Sequence, residues 1–317
     1  MLQEKDTVIN TEGLSKIYKN VNALDSLDLK VKRNSIFGFL GPNGAGKTTA
    51  IKLLLGLIFP TSGHATIFGE DVVRNSIAIR SRVGYLPQSP RFYEHMTARQ
   101  ILRYAASFYF KGPKSDIEDR VAETLELVGL GKKADRRIRG FSGGELQRVG
   151  IGQAQVHYPD LLILDEPAAA LDPMGRRDVL EVMERLRAHT TILFSTHILN
   201  DVQKISDSVA ILNNGKLVAQ GKIDDLLNGN DEIIYCVKLK GNIRCAFTRI
   251  SQETWVSNIE DKSSNGIVEW QISVTDQTTA EMKLLPLLLA KGDVQVINWG
   301  LKTYELESVF MNIVEEK

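Results

Sequence analysis

The chain has 317 residues, 43% of them hydrophobic, with 39 basic and 39 acidic side chains and a formal net charge of +0. This length can bury two cores, and the balanced charge leaves no global field to draw in nucleic acid or anionic lipid. Cys236 and Cys245 give neither a metal spacing nor a disulfide framework, and apolar stretches such as 53–60 are too short to cross a bilayer.

The N-terminal Met1-Leu2-Gln3-Glu4-Lys5-Asp6 is charged and is not an apolar leader, so a cytosolic chain is expected. Ser35-Ile36-Phe37-Gly38-Phe39-Leu40 reads as a buried strand and Thr49-Ala50-Ile51-Lys52-Leu53-Leu54-Leu55 as a helix. Between them Gly41-Pro42-Asn43-Gly44-Ala45-Gly46-Lys47-Thr48 fits the phosphate-binding loop G-x-x-x-x-G-K-[ST] at every fixed position. Its glycines let backbone N–H groups curl around phosphates, and the following helix start adds about half a positive charge. Lys47 is expected on the β- and γ-phosphates and the Thr48 hydroxyl on Mg²⁺, with Thr49 beside them.

Helical patterns follow at 98–108 and 115–128, the second with Ser115 and Glu118 as a capping box and Gly129 as its stop. The stretch between Lys47 and Ser142 is too long for a simple connection, so inserted structure is expected. Its aromatics, at 92–93 and 104–110, are mostly accounted for by a packed core. Lys132, Lys133, Arg136, Arg137 and Arg139 read as a solvated face. Ser142 is then a natural N-cap, and Gly143 and Gly144 permit close backbone approach at a new helix start that includes Glu145. Leu161-Leu162-Ile163-Leu164 has the continuous apolar run of a parallel strand covered on both faces. Asp165 and Glu166 sit at its C-terminal end, where such sheets place ligands. Asp165 is the expected Mg²⁺-side carboxylate, and Glu166 is placed to polarise water.

Past a linker at 228–231, strands are expected at 232–239, 268–274 and 294–299. A helix capped by Thr278 and Glu281 runs to about Gly292 with a kink at Pro286, and a last helix covers 304–314. That order suggests a small α+β unit of ferredoxin-like type.

Together GPNGAGKTT at 41–49, FSGGE at 141–145 and LLILDEP at 161–167 resemble the ATPase subunit of ATP-binding-cassette (ABC) transporters, over about residues 7–228. The resemblance implies an α/β fold: a P-loop NTPase core of mixed, mainly parallel sheet with flanking helices and an inserted helical subdomain at about 89–157, joined to a C-terminal α+β accessory or regulatory module at 229–317. It implies ATP and Mg²⁺ as ligands, with Thr48, Gln88 and Asp165 on the metal side, and hydrolysis carried by Glu166, His197, Gln88 and Lys47. Tyr18 matches the aromatic that stacks on adenine, and Asp172 the aspartate that speaks across a dimer. Phe141-Ser142-Gly143-Gly144-Glu145 is similar to the Leu-Ser-Gly-Gly-Gln signature, which the family presents to the ATP of an opposing subunit. Glu145 in place of glutamine adds negative charge near that nucleotide, and Ala168-Ala169-Ala170 departs from the usual residues there.

The implied partners are integral-membrane transporter subunits and a second ATPase subunit, as a homodimer or pseudo-symmetric heterodimer, peripheral on the inner face of the membrane. No nucleic acid partner is expected. Some aromatics at 92–110 would line the groove for the membrane partner's short cytoplasmic helix, and Leu306-Glu307-Ser308-Val309-Phe310 resembles, more loosely, the tails of exporter ATPases. Two other classes are weighed: a relative acting on nucleic acid or ribosomes, and an ATP sensor that does not hydrolyse. The single phosphate loop and the lack of sustained heptads speak against the first, and Glu166 with His197 against the second.

Overall fold

A computed structural model describes residues 6–227, 233–262, 268–290 and 294–301. In chain order the elements are β1 (Thr7–Tyr18), β2 (Val21–Leu27), β3 (Lys30–Lys32), β4 (Ile36–Leu40), α1 (Lys47–Leu54), β5 (Ser62–Ile67), β6 (Glu70–Asp71), α2 (Ser76–Arg80), β7 (Val83–Leu86), α3 (Ala98–Ala106), α4 (Lys114–Leu127), α5 (Gly143–Gln155), β8 (Leu161–Asp165), α6 (Pro173–Leu186), β9 (Thr191–Thr196), α7 (Leu199–Ile205), β10 (Ser208–Asn213), β11 (Lys216–Lys222) and α8 (Ile223–Leu227). The second part adds β12 (Ile233–Gly241), α9 (Ile243–Ser251), β13 (Val256–Asp261), β14 (Val268–Val274), α10 (Gln277–Leu289) and β15 (Val294–Leu301). The chain divides into two compact units after Ile223.

In the first unit a six-stranded sheet runs β11-β10-β4-β9-β8-β7. Its strands are parallel except β11 at the edge. Residues of β4, β8 and β9 are buried throughout, as expected of parallel strands covered on both faces. A separate antiparallel sheet, β2-β1-β5-β6 with β3 on β1, packs its apolar residues into the same core as α1. Because β4, β7, β8 and β9 are adjacent and parallel, the loops after all four leave from one edge.

The inserted helices α3, α4 and α5 pack on one another. Helix α3 is capped by a box of Thr97 and Gln100. The Ser115–Glu118 box expected on α4 is absent, because Pro113 is the N-cap, the Ser115 hydroxyl donates to Asp116, and Glu118 is drawn to the Arg103 guanidinium. Gly129 does end the helix, in the left-handed region at φ 66°. Arg120, nearly buried, donates to the carbonyls of Val156 (2.8 Å) and Gln155 (2.7 Å), which satisfies the last turn of α5. The aromatics expected in a core are largely on the surface instead. Tyr93, Tyr104, Phe108 and Tyr109 are 64%, 56%, 69% and 46% exposed.

His157 stacks on Tyr109, with ring centroids 3.9 Å apart. Burial, helped by the Arg120 charge, pushes its pKa from 6.5 down to about 4. The ring therefore stays neutral in the folded chain while the unfolded chain takes up a proton, so stability should fall as pH drops from 6.5 toward 4. Thermal unfolding across that window should show a shallower decline in His157→Phe, which keeps the stack. An unchanged slope would assign the acid sensitivity to other groups.

The second unit is β12-α9-β13-β14-α10-β15, with sheet order β13-β14-β12-β15 and every pair antiparallel. This is the split βαβ arrangement of ferredoxin-like folds. Its core gathers Tyr235, Val237, Leu239, Trp270, Ile272 and Leu284. Helix α9 and strand β13 were not expected from the sequence. The cap of α10 is Asp276, which accepts from the Thr279 N–H at 3.2 Å, rather than Thr278, and the helix continues through Pro286. Glu281 instead accepts from Gln277 (3.0 Å). The helix expected at 304–314 and the tail at 306–310 lie outside the described residues. Among the described residues no helix is long and apolar enough to cross a membrane.

Candidate active site

The loop at 41–46 turns β4 into α1 with Gly46 at φ 102°, a conformation side chains rarely adopt. Space also forbids a side chain there, since a Cβ on Gly46 would lie 2.4 Å from the Ala23 carbonyl and one on Gly41 would lie 2.3 Å from that of Leu212. No side chain caps α1, so its first-turn N–H groups stay available to an anion. Pro42, Asn43 and Gly44 are exposed along the loop, whereas Ala45 is buried.

Lys47 follows at once and is only 5% exposed. Its ammonium donates to the Gly41 (2.7 Å) and Pro42 (3.0 Å) carbonyls and lies 3.4 Å from Glu166 Oε1. Burial lowers its pKa, while the Glu166 and Asp165 carboxylates pull it back up. One residue on, the Thr48 hydroxyl donates to Asp165 Oδ2 at 2.9 Å. Thr49 stands on the same first turn of α1.

Glu166, 6% exposed, sits just past β8 with φ 49°, an unusual conformation for a residue other than glycine. It is held there because its N–H reaches both the Ser195 hydroxyl (2.9 Å) and the Ser195 carbonyl (3.2 Å). The Ser195 hydroxyl in turn donates to Asp165 Oδ1 at 2.5 Å. Ser195 is the functional residue missed in the sequence. Its signal in the sequence was a hydroxyl at the polar end of a buried strand; the structure alone puts that strand beside the one carrying the acidic pair.

Glu166 Oε1 faces Lys47, and Oε2 faces His197 Nδ1 (3.2 Å) and the Gln88 amide (3.4 Å). Both partners are exposed, on the loops after β9 and β7. The structure thus brings together Lys47, Thr48, Gln88, Asp165, Glu166 and His197, all at the carboxyl ends of adjacent strands.

The remaining candidates lie elsewhere. Ser142 caps α5 in a reciprocal box: its hydroxyl accepts from the Glu145 N–H (3.3 Å), and Glu145 Oε2 accepts from the Ser142 N–H (2.8 Å). Glu145 is therefore turned into its own helix start rather than outward. A Cβ on Gly144 would meet Gly175 at 3.0 Å and one on Gly143 would meet Leu171 at 3.2 Å, so these glycines allow α5 to approach the first turn of α6 and the residues just before it closely. Asp172 begins α6 and makes no capping bond with its side chain. Tyr18, 43% exposed, has the Lys16 ammonium 5.1 Å from its ring centre.

A phosphate loop after a central parallel strand, β4, with a carboxylate pair at the same end of β8 two strands away and β9 between them, defines a P-loop ATPase, and the capped glycine pair on α5 narrows it to the ABC type. The chain belongs to the family of ABC transporter ATP-binding proteins, and it is an ATP-binding and ATP-hydrolysing transporter subunit. The family model described as ABC transporter matches residues 24–169. The chain is 36% identical over 307 residues, 97% of its length and 99% of the relative's, to the uncharacterized ABC transporter ATP-binding protein YxlF of Bacillus subtilis (strain 168). It is 42% identical over 226 residues, 71% of its length and 72% of the relative's, to the bacitracin transport ATP-binding protein BcrA of Bacillus licheniformis. A solved structure of an ATP-binding subunit of an ABC transporter superposes with a TM-score of 0.62 at 34% identity, covering 69% of this chain and 92% of that one.

Proposed function

We propose that the first unit hydrolyses ATP in a head-to-tail dimer, homomeric or pseudo-symmetric, and that this work drives an exporter through a separate integral-membrane subunit. The single observation that carries the catalytic reading is the meeting of Lys47, Gln88 and His197 on the two oxygens of Glu166. Glu166 is the group that takes a proton from water. His197 and Gln88 orient it, and Lys47 holds the phosphates. In the pair seen here Lys47 and Glu166 neutralise each other. Phosphates compete for the ammonium and free the carboxylate to act as a base. Asp172 and the exposed Ser142 and Gly143 face a second subunit, and Tyr18 supports the adenine.

The Thr48 hydroxyl and the Asp165 carboxylate are hard oxygen donors on facing elements, with Gln88 on the next loop, and this set fits Mg²⁺ held jointly with substrate phosphates. Bound there, the ion would offset charge on the transferred phosphoryl group. Lys47→Ala should abolish binding of a fluorescent ATP analogue at micromolar concentration, because the buried cation opposite the phosphates is gone. Near-normal affinity would remove Lys47 from the site.

The relative named for bacitracin transport supports a transport role, and export is our reading of its direction. A cavity of about 300 Å³ lined by Leu55, Tyr85, Tyr104, Phe108, Tyr109 and His157, with exposed aromatics at its rim, supports docking of a membrane partner and hence a peripheral place on the inner face. Tyr104→Ala with Phe108→Ala should lower the fraction of chain that sediments with source membranes while the isolated chain hydrolyses ATP within about twofold of the original rate. Undiminished sedimentation would place the contact elsewhere. The second unit, which carries no catalytic cluster among its described residues, serves as an accessory module for dimer support or regulation.

A further inference from the structure

Glu145 occupies a position where an acid should do harm. It is 6% exposed and sits on the first turn of α5, beside the exposed Ser142 and Gly143. A helix start suits an anion through its free N–H groups, but a neighbouring carboxylate repels one. The structure contains the countermeasure. The 3₁₀ turn Gly131–Lys133 lies ahead of α5 and brings the Lys133 ammonium onto Glu145 Oε1. Glu145 Oε2 is meanwhile occupied by the Ser142 N–H at 2.8 Å. Both oxygens are thus engaged from the protein side.

Burial raises the pKa of Glu145, but Lys133 and the Ser142 N–H outweigh it and hold the acid below its usual range, so it is charged at neutral pH. Arg136 contributes a second, weaker positive influence. Its own guanidinium is committed to the Gly140 carbonyl (2.5 Å) and lies 5.9 Å from the Phe141 ring centre. Lys133 is therefore the close counter-ion of Glu145.

We propose that Lys133 is a positioning residue of the shared nucleotide site, neutralising Glu145 so that the start of α5 can receive the phosphates bound by a second subunit. This rests on the reading that Ser142 completes an opposing site. Lys133 does not touch nucleotide in this account. It acts through Glu145, and its importance depends on the acid being there. A chain with glutamine at this position has no charge to offset and no need of the lysine.

The test is a double-mutant cycle on the full chain. Lys133→Gln should raise the ATP concentration for half-maximal hydrolysis about tenfold and leave kcat within about twofold, with a small drop in melting temperature from the lost partner of buried Glu145, because the uncompensated charge opposes closure and not chemistry. Made on top of Glu145→Gln, the same lysine change should cost less than about twofold. ATP-driven dimerisation, followed by gel filtration in the Glu166→Gln background, should shift in parallel. An unmoved KM in Lys133→Gln would overturn the proposal. An equal loss in both backgrounds would also overturn it, since Lys133 would then act directly on nucleotide or only on the fold. Ser142→Arg run alongside separates the two levels. Full activity there removes the shared site itself, whereas loss there with an unmoved Lys133→Gln removes only the role of Lys133.

Discussion

Glu166→Gln is expected to reduce ATP turnover by about 10²-fold or more, the usual cost of losing a positioned general base, while leaving ATP binding in place. The side chain is almost fully buried, so an isosteric amide fits without repacking. Its strained backbone is held from Ser195 through main-chain N–H bonds that the substitution does not touch. Lys47 also loses its anionic partner and is left more available to phosphates. Binding without hydrolysis should accumulate an ATP-held dimer, visible by gel filtration with ATP and Mg²⁺. Hydrolysis at the original rate would show that Glu166 is not the base.

Lys47, Thr48, Asp165 and Glu166 were legible in the sequence because the buried apolar runs of β4 and β8 lead into them, whereas Gln88 and His197, after β7 and the mixed β9, were named only through the family resemblance. Asp165 and Glu166 after β8 needed only the rule that parallel sheets present ligands at their carboxyl ends. Ser195 was overlooked because its contribution is to the neighbouring strand, and strand adjacency is a tertiary fact. The same holds for Glu145: the capping box is local, but its pairing with Lys133 needs the turn at 131–133 to fold back. The basic run at 132–139 read as a solvated face, and its residues are exposed, yet two of them have specific partners.

In the second unit the strands expected at 232–239, 268–274 and 294–299 correspond to β12, β14 and β15, and α9 and β13 were missed. Ile243–Ser251 is rich in residues of middling helix propensity, with Cys245, Phe247 and Thr248 in its centre. Val256–Asp261 is a sheet-edge strand with only Val256 and Ile259 apolar, so no period stands out. Supplying both turns an incomplete β-α pattern into the ferredoxin-like order.

Ser142→Arg is the second change expected to silence the protein. The residue is exposed at the start of α5, and no hydrogen bond or ion pair among the described residues joins it to the cluster around Glu166. The substitution should therefore leave the binding of ATP by a monomer nearly intact. In a head-to-tail dimer, however, a bulky cation would stand where the opposing γ-phosphate approaches, and both hydrolysis and ATP-driven dimerisation should be lost. Mixing this variant with Lys47→Ala should restore partial activity where one site suffices, since one composite site keeps Lys47 from one chain and Ser142 from the other.

Whether two chains complete one another's sites is read from the ATPase rate of purified Ser142→Arg at saturating ATP and Mg²⁺. Loss of at least about 10²-fold, with monomer ATP affinity retained, is the predicted result. Full activity with that substitution would contradict the account, because a chain that closes its own site has no use for the start of α5 on another.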